Sequence, residues 1–310
     1  MQLSANGISI EVQDEGASGA EPLLLIMGLG MQLIAWPAGF VESLLRKGFR
    51  VIRFDNRDVG LSQSFDDFGV PNVALDVFKY ALGMHPRSAY TLADMADDAA
   101  GVLASLGVPS AHVLGVSMGG MVAQRLALRH RERVKSLTLM MTSSGARHLP
   151  GPSMKVRAAM LWRPTQPADM AAIVAYYVRL YRLIGSPGYP SPDAEIAQRV
   201  EGWVRRSYRP AANLRQLMAI AADGNRSAEL RRLNVATHVV HGRDDVLVPA
   251  QAGQDLARKI TGATLEIIDG MGHDLPEALW PRFVRGIEAI AARSTQLVQR
   301  GRQGLAADRI

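Results

Sequence analysis

The chain of 310 residues contains no cysteine. That excludes disulfides, thiolate metal sites and a cysteine nucleophile. No apolar run approaches the roughly 20 residues that span a bilayer, and residues 1–7 lack the basic stretch and apolar core of a secretory signal. A cytoplasmic protein without a membrane span is therefore expected. The seven histidines show no paired ligand spacing and no H-E-x-x-H occurs, so no metal site is expected. Gly28-Leu29-Gly30 lacks the third glycine of a dinucleotide loop, and no cofactor is expected. The formal charge of +6 is spread along the chain. Its densest basic cluster, Arg293, Arg300, Arg302 and Arg309, has no stacking aromatics beside it, so no nucleic-acid partner is expected.

What is present is an ordinary globular composition. Hydrophobic residues make up 48%, and 29 Gly and 16 Pro are dispersed, which argues against disorder and fibrous repeats. No internal repeat is found. The length suits one large α/β domain carrying an insertion. Residues 7–13 alternate as a half-buried strand. Apolar runs at 23–27, 50–54, 112–116, 134–141, 235–241 and 264–268 read as buried strands, with helical periodicity between most of them, at 36–47, 92–106, 118–130, 250–260 and 281–293. Thr91 is placed to cap one helix and Gly107 to stop it. Residues 65–88 show no clear period. Residues 147–233 read as helical. The expected organisation is a core in two parts, 1–145 and 233–296, a helical cap at 146–232 and a tail at 297–310. A mostly parallel sheet with helices on both faces follows from the alternation.

The chain is organised around Gly115-Val116-Ser117-Met118-Gly119-Gly120, where a strand turns sharply into a helix. Small residues two before and two after Ser117 allow a strained corner that pushes its hydroxyl clear of the sheet, a nucleophile elbow. A serine needs a base, an orienting carboxylate and oxyanion donors. Candidates follow the C-terminal ends of other strands, where sites of parallel sheets gather. His273 stands in the Gly-flanked loop after the strand at 264–268 and suits a general base. His112, His238 and His241 lie within strands, His130 ends a helix, and His85 and His148 lack a matching context. Asp245, four residues before Pro249, is the carboxylate chosen, with its neighbour Asp244 as the alternative. The backbone N–H groups of Leu29 and Met118 are the oxyanion donors expected. Asp55 and Arg57 are read as braces for the neighbouring loops. Tyr176, Tyr177, Tyr181, Trp162 and Trp203 could line an apolar pocket, although a helical aromatic stripe is more often plain packing.

Four motifs together resemble the α/β-hydrolase superfamily: the elbow, the His241-Gly242-Arg243-Asp244-Asp245 to Pro249 loop, the Gly270-Met271-Gly272-His273 loop, and the stretch from Asp55 to Ser62. That last stretch is similar to the family's Asp-x-Arg-Gly-x-Gly-x-Ser loop, with Asp58 in place of its first Gly. A second departure is Met27-Gly28, where the family usually has His-Gly. The Asn-Arg-Asp variant and the histidine loop are similar to a branch of serine esterases that includes aclacinomycin methylesterase. The resemblance implies a carboxylesterase acting on a small-molecule ester of small to medium apolar acyl groups through an acyl-enzyme on Ser117. Carbon–carbon bond hydrolysis, perhydrolysis, hydroxynitrile lyase chemistry and a slow-turnover ligand receptor are the alternatives on the same scaffold.

Overall fold

The computed structural model of the chain describes residues 1–72, 88–161 and 169–307. Its eight strands, in chain order β1 (Gln2–Ala5), β2 (Ile8–Glu15), β3 (Glu21–Ile26), β4 (Phe49–Phe54), β5 (Ala111–Val116), β6 (Val134–Met140), β7 (Ala236–Gly242) and β8 (Thr264–Ile268), form one sheet. The spatial order is β1-β2-β4-β3-β5-β6-β7-β8. β1 and β2 pair antiparallel and β2 runs antiparallel to β4, while the pairs from β4 through β8 are parallel. The sequence pattern suggests no separate β1; it forms because four residues pair with β2 in a hairpin turned by Asn6-Gly7, both at positive φ.

Each central strand divides its side chains between two cores, because successive residues point to opposite faces. Leu24 and Ile26 of β3 pack into one cluster, and Leu23, Leu25 and Met27 into the other. The first cluster is covered by α2 (Leu92–Ser105), α3 (Met118–Arg129) and α9 (Gln251–Lys259), and the second by α1 (Ala38–Arg46) and α10 (Trp280–Ala307). Five consecutive β3-and-loop residues, Leu23 to Met27, are buried. At about 1.5–3 kcal/mol for each fully buried large side chain, this short run is a substantial anchor for the sheet. α2 starts with a capping box, Thr91 accepting from the Asp94 N–H at 3.1 Å while the Asp94 carboxylate accepts from the Thr91 N–H at 2.7 Å. α10 continues to Ala307, well past the expected end near Arg293.

Between β6 and β7 lie only helices among the described residues: α4 (Met154–Leu161), α5 (Met170–Ile184), α6 (Asp193–Arg206), α7 (Pro210–Asp223) and α8 (Ser227–Leu230). Buried polar contacts join α6 and α7 to the loops after β3 and β4. Arg206 donates to Asp55 at 2.7 Å, and Arg215 donates twice to Asp58, at 2.6 and 2.8 Å.

Candidate active site

Ser117 sits at the junction of β5 and α3 with φ +55° and ψ −120°. This conformation costs a non-glycine residue about 1–3 kcal/mol and persists only where the surroundings enforce it. Here the Ser117 N–H donates to the Met140 carbonyl at 2.9 Å, and the Thr142 hydroxyl donates to the Ser117 carbonyl at 2.6 Å. The flanking glycines have steric reasons. A β-carbon on Gly115 would strike the Gly119 carbonyl, and one on Gly119 would strike the backbone of Ile26 and Met27. Helix α3 therefore approaches the end of β3 closely enough to bring Ser117 beside Gly28, whose own β-carbon would lie 3.3 Å from that of Ser117.

The parallel register brings the ends of β5, β7 and β8 to the same edge, and with them three of the expected residues. His273 Nε2 lies 3.0 Å from Ser117 Oγ, and His273 Nδ1 lies 2.7 Å from Asp245 Oδ2. The other oxygen of Asp245 accepts the N–H groups of Leu247 and Val248 at 2.9 and 2.8 Å. Burial works to raise the Asp245 carboxyl, but the charge of His273, hydrogen bonds from His241 and His273, and the Val248 N–H outweigh it and hold the group well below the usual carboxylate range. A carboxylate at Oδ2 can only accept, so His273 carries a proton on Nδ1, and its neutral form would present a lone pair on Nε2 to the serine hydroxyl. Asp244 does not join this chain of contacts; its carboxylate accepts the Gly270 N–H at 2.8 Å. The histidines His112, His238 and His241 lie inside strands β5 and β7, and His130 follows α3. His85 and Trp162 fall outside the described residues.

Leu29 lines the cavity beside Ser117, and Met118 opens α3. Among the described residues neither backbone N–H has a protein acceptor; for Met118 this is normal in the first turn of a helix, whereas Leu29 lies in the turn after β3. The loop that carries Leu29 is held from two sides. Asn56 Nδ2 donates to the Met27 carbonyl at 3.0 Å, and Gln216 of α7 accepts the Gly30 N–H at 2.8 Å while donating to the Arg57 carbonyl at 3.0 Å. The chain thus braces the loop without the family's usual histidine at position 27.

Asp55 and Arg57 do brace loops, each with its own partners. Asp55 accepts from Leu33 N–H, Leu61 N–H and Arg206, and Arg57 forms a two-pronged pair with Asp98 at 2.6 Å on both arms. Asp58, in the place of a family glycine, has φ +72°, a conformation that favours glycine. Its buried carboxylate takes the two arms of Arg215 together with Tyr90 Oη–H and Phe65 N–H. Arg215 and Gln216 are not legible in the sequence: on a helix, two adjacent polar residues read as a solvent face, yet both are buried.

The cavity at Ser117 and His273 has a volume of about 210 Å³. Tyr176, Tyr177, Tyr181 and Trp203 all line it, so this aromatic stripe does more than pack, and Tyr181 and Trp203 are in ring contact at 5.8 Å. Met27, Met31, Val116, Met141, Leu180 and Leu275 make most of the remaining wall apolar. Arg199 and Asp274 are its charged members, and burial pushes the Asp274 carboxyl up despite hydrogen bonds from Ser186. Among the described residues, no three His, Asp or Glu side chains gather where they could hold a metal ion, and no helix is long and apolar enough to cross a membrane.

Many known proteins are similar to this chain. Rhodomycin D methylesterase DauP of Streptomyces sp. (strain C5) is 29% identical over 297 residues, covering 89% of this chain and 93% of that protein. Rhodomycin D methylesterase DnrP of Streptomyces peucetius is 30% identical over 279 residues, covering 83% and 86%. Among solved structures, a mutant of the meta-cleavage product hydrolase CumD from Pseudomonas fluorescens IP01, complexed with acetates, superposes with a TM-score of 0.72 at 21% identity, over 95% of this chain and 98% of that one. The sequence profile of the alpha/beta hydrolase fold matches residues 21–277. With its eight-stranded sheet and this match over most of its length, the chain belongs to the α/β-hydrolase fold family.

Proposed function

We propose that the protein is a carboxylic ester hydrolase that works through an acyl-enzyme on Ser117, with His273 as general base and acid and Asp245 as the carboxylate that orients it. The observation that carries this reading is the unbroken chain Ser117 Oγ to His273 Nε2 at 3.0 Å and His273 Nδ1 to Asp245 Oδ2 at 2.7 Å, opening on an apolar cavity. The rhodomycin D methylesterases support ester cleavage, and methyl esters of apolar acids are the first substrates to consider.

In the first half-reaction the serine oxygen adds to the ester carbonyl as its proton passes to His273 Nε2. The carbonyl oxygen gathers negative charge between the N–H groups of Leu29 and Met118, each worth about 3 kcal/mol to the transition state. Collapse expels the alcohol, which takes the proton from His273. Water then adds to the acyl-enzyme with its proton going to the same nitrogen, and the acid is released with Ser117 restored. Asp245 stays ionised throughout and steadies the imidazolium. Residues 146–232 act as a cap that shapes the acyl side of the cavity through Tyr176, Tyr181 and Trp203.

The test is intact-protein mass spectrometry after brief exposure to activated esters of increasing acyl length and to a phosphonate serine trap. An adduct on Ser117 that disappears in Ser117→Ala and His273→Ala is the expected result. A folded wild-type protein that takes no label from any reagent would overturn the assignment.

A further inference from the structure

Two arginines of the helical segment that reach inward are paired: Arg206 with Asp55 and Arg215 with Asp58. Arg199 of α6 is different. It lines the cavity at Ser117, and among the described residues its buried Nε has no hydrogen-bond partner and no ion pair holds its guanidinium. An Nε donor withdrawn from water without a partner is costly, and Arg199, half-buried and bordering two neighbouring clefts as well, keeps one beside an apolar wall.

The nearby acid is a poor candidate for that partner. Asp274 lines the same cavity and feels the charge of Arg199, yet its carboxylate is engaged by the Ser186 hydroxyl and backbone N–H. Burial is the main influence on Asp274 and raises its pKa, with Ser186, His273 and Arg199 acting the other way. The donors of Arg199 therefore remain available, and a planar fork of N–H groups matches a carboxylate in two-pronged fashion better than it matches any neutral group.

We propose that Arg199 is an anion subsite of the substrate cavity, and that the preferred substrate is a half-ester: an ester carbonyl at Ser117, an apolar spacer along Met31, Met141, Leu180 and Trp203, and a free carboxylate at Arg199. This rests on the esterase reading and names its substrate class. The balanced reaction takes one water and one half-ester to a dicarboxylate, an alcohol and one proton. The remaining wall cannot select such a substrate, because it offers the carboxylate no second cation: Arg199 is the one Lys or Arg among the described residues lining this cavity.

The experiment compares monomethyl with dimethyl esters of succinate, adipate and sebacate in the wild-type protein, Arg199→Met and Arg199→Lys, with circular dichroism confirming that each variant is folded. For the spacer that fits, wild type is expected to favour the half-ester, and Arg199→Met to lower the half-ester to diester ratio of kcat/KM by about tenfold to a hundredfold, the range of one charge-assisted pair. Arg199→Lys should restore part of that ratio, since it keeps the charge and loses the fork. A ratio unchanged in Arg199→Met overturns the subsite. Calorimetric binding of the same monomethyl esters to Ser117→Ala separates the two readings. Binding that depends on Arg199 without any wild-type turnover would keep the subsite and sink the esterase, and turnover of both ester types with binding indifferent to Arg199 would do the reverse.

Discussion

Asp245→Asn is the sharpest test of how the site holds its proton. In the wild type, Asp245 Oδ1 accepts two backbone N–H groups, from Leu247 and Val248, while Oδ2 faces His273 Nδ1. An asparagine cannot choose its orientation freely there: its carbonyl must take the Oδ1 place, because an NH2 group would face two donors. The NH2 is then directed at His273 Nδ1, which must become an acceptor, and the ring proton moves to Nε2. In that tautomer Nε2 cannot take the proton of Ser117. A wrongly protonated base of this kind costs about 10,000-fold in kcat, or about 5.5 kcal/mol at 1.36 kcal/mol per decade. Steady-state hydrolysis of an activated ester gives kcat, and nitrogen NMR of the imidazole reports the tautomer directly. Asp244→Asn is the matched control and should cost less than about twofold, since among the described residues the Asp244 carboxylate accepts the Gly270 N–H and does not touch His273. Activity of Asp245→Asn within about tenfold of wild type would refute the tautomer argument.

Gln216→Ala should lower kcat by about tenfold or more with little change in KM, because the Gly30 N–H and Arg57 carbonyl lose their buried partner and the loop bearing Leu29 loosens; steady-state kinetics with two acyl lengths check this. Asp58→Gly restores the residue common in the family and relieves a positive φ, yet it leaves the Arg215 guanidinium buried and unmatched by Asp58. Asp66 still pairs with Arg215 at 2.6 Å, so a net loss of about 1–3 kcal/mol in urea unfolding is expected, and a stabilised variant would contradict it. His112 contributes a pH dependence. Burial, with a smaller push from Lys135 and opposed by Glu21, lowers its pKa from 6.5 to about 4. Its folded-state pKa is depressed, so the unfolded chain binds the proton more readily, and stability is lost as pH falls from about 6.5 towards about 4. His112→Gln should flatten that part of the stability profile measured by thermal unfolding.

Which features are legible in the chain follows from how locally each is encoded. Ser117 announces itself because the Gly115 and Gly119 that let the elbow form are its immediate neighbours, and the reason each must be glycine is a backbone collision. Thr91 and Asp94 form their capping box within one turn, so the start of α2 can be read directly. That Asp245 and His273 meet at the edge that carries Ser117 can be anticipated because each follows an apolar strand, and a parallel sheet delivers strand ends to a common edge whatever the intervening sequence. The extent of α10 is less legible: the charged, glycine-containing stretch after Arg293 weakens the apolar period, although helix persists to Ala307.

Periodicity, turn chemistry and caps act over a few residues, and for that reason the order of strands and helices, the corner at Ser117 and the set of strand-end loops are written in the linear chain. Which polar side chains on the helices between β6 and β7 turn inward is not, because their partners are remote. Arg215 meets Asp58 across 157 positions and Gln216 meets Gly30 across 186. Nothing in the periodicity of α7 marks either residue, since only the approach of two distant loops supplies the buried carboxylate and the backbone groups they satisfy. The same holds for Arg199: its type can be read from the chain, but its place beside an apolar cavity, with an Nε that has no hydrogen-bond partner among the described residues, exists only once the helices have closed over the end of the sheet.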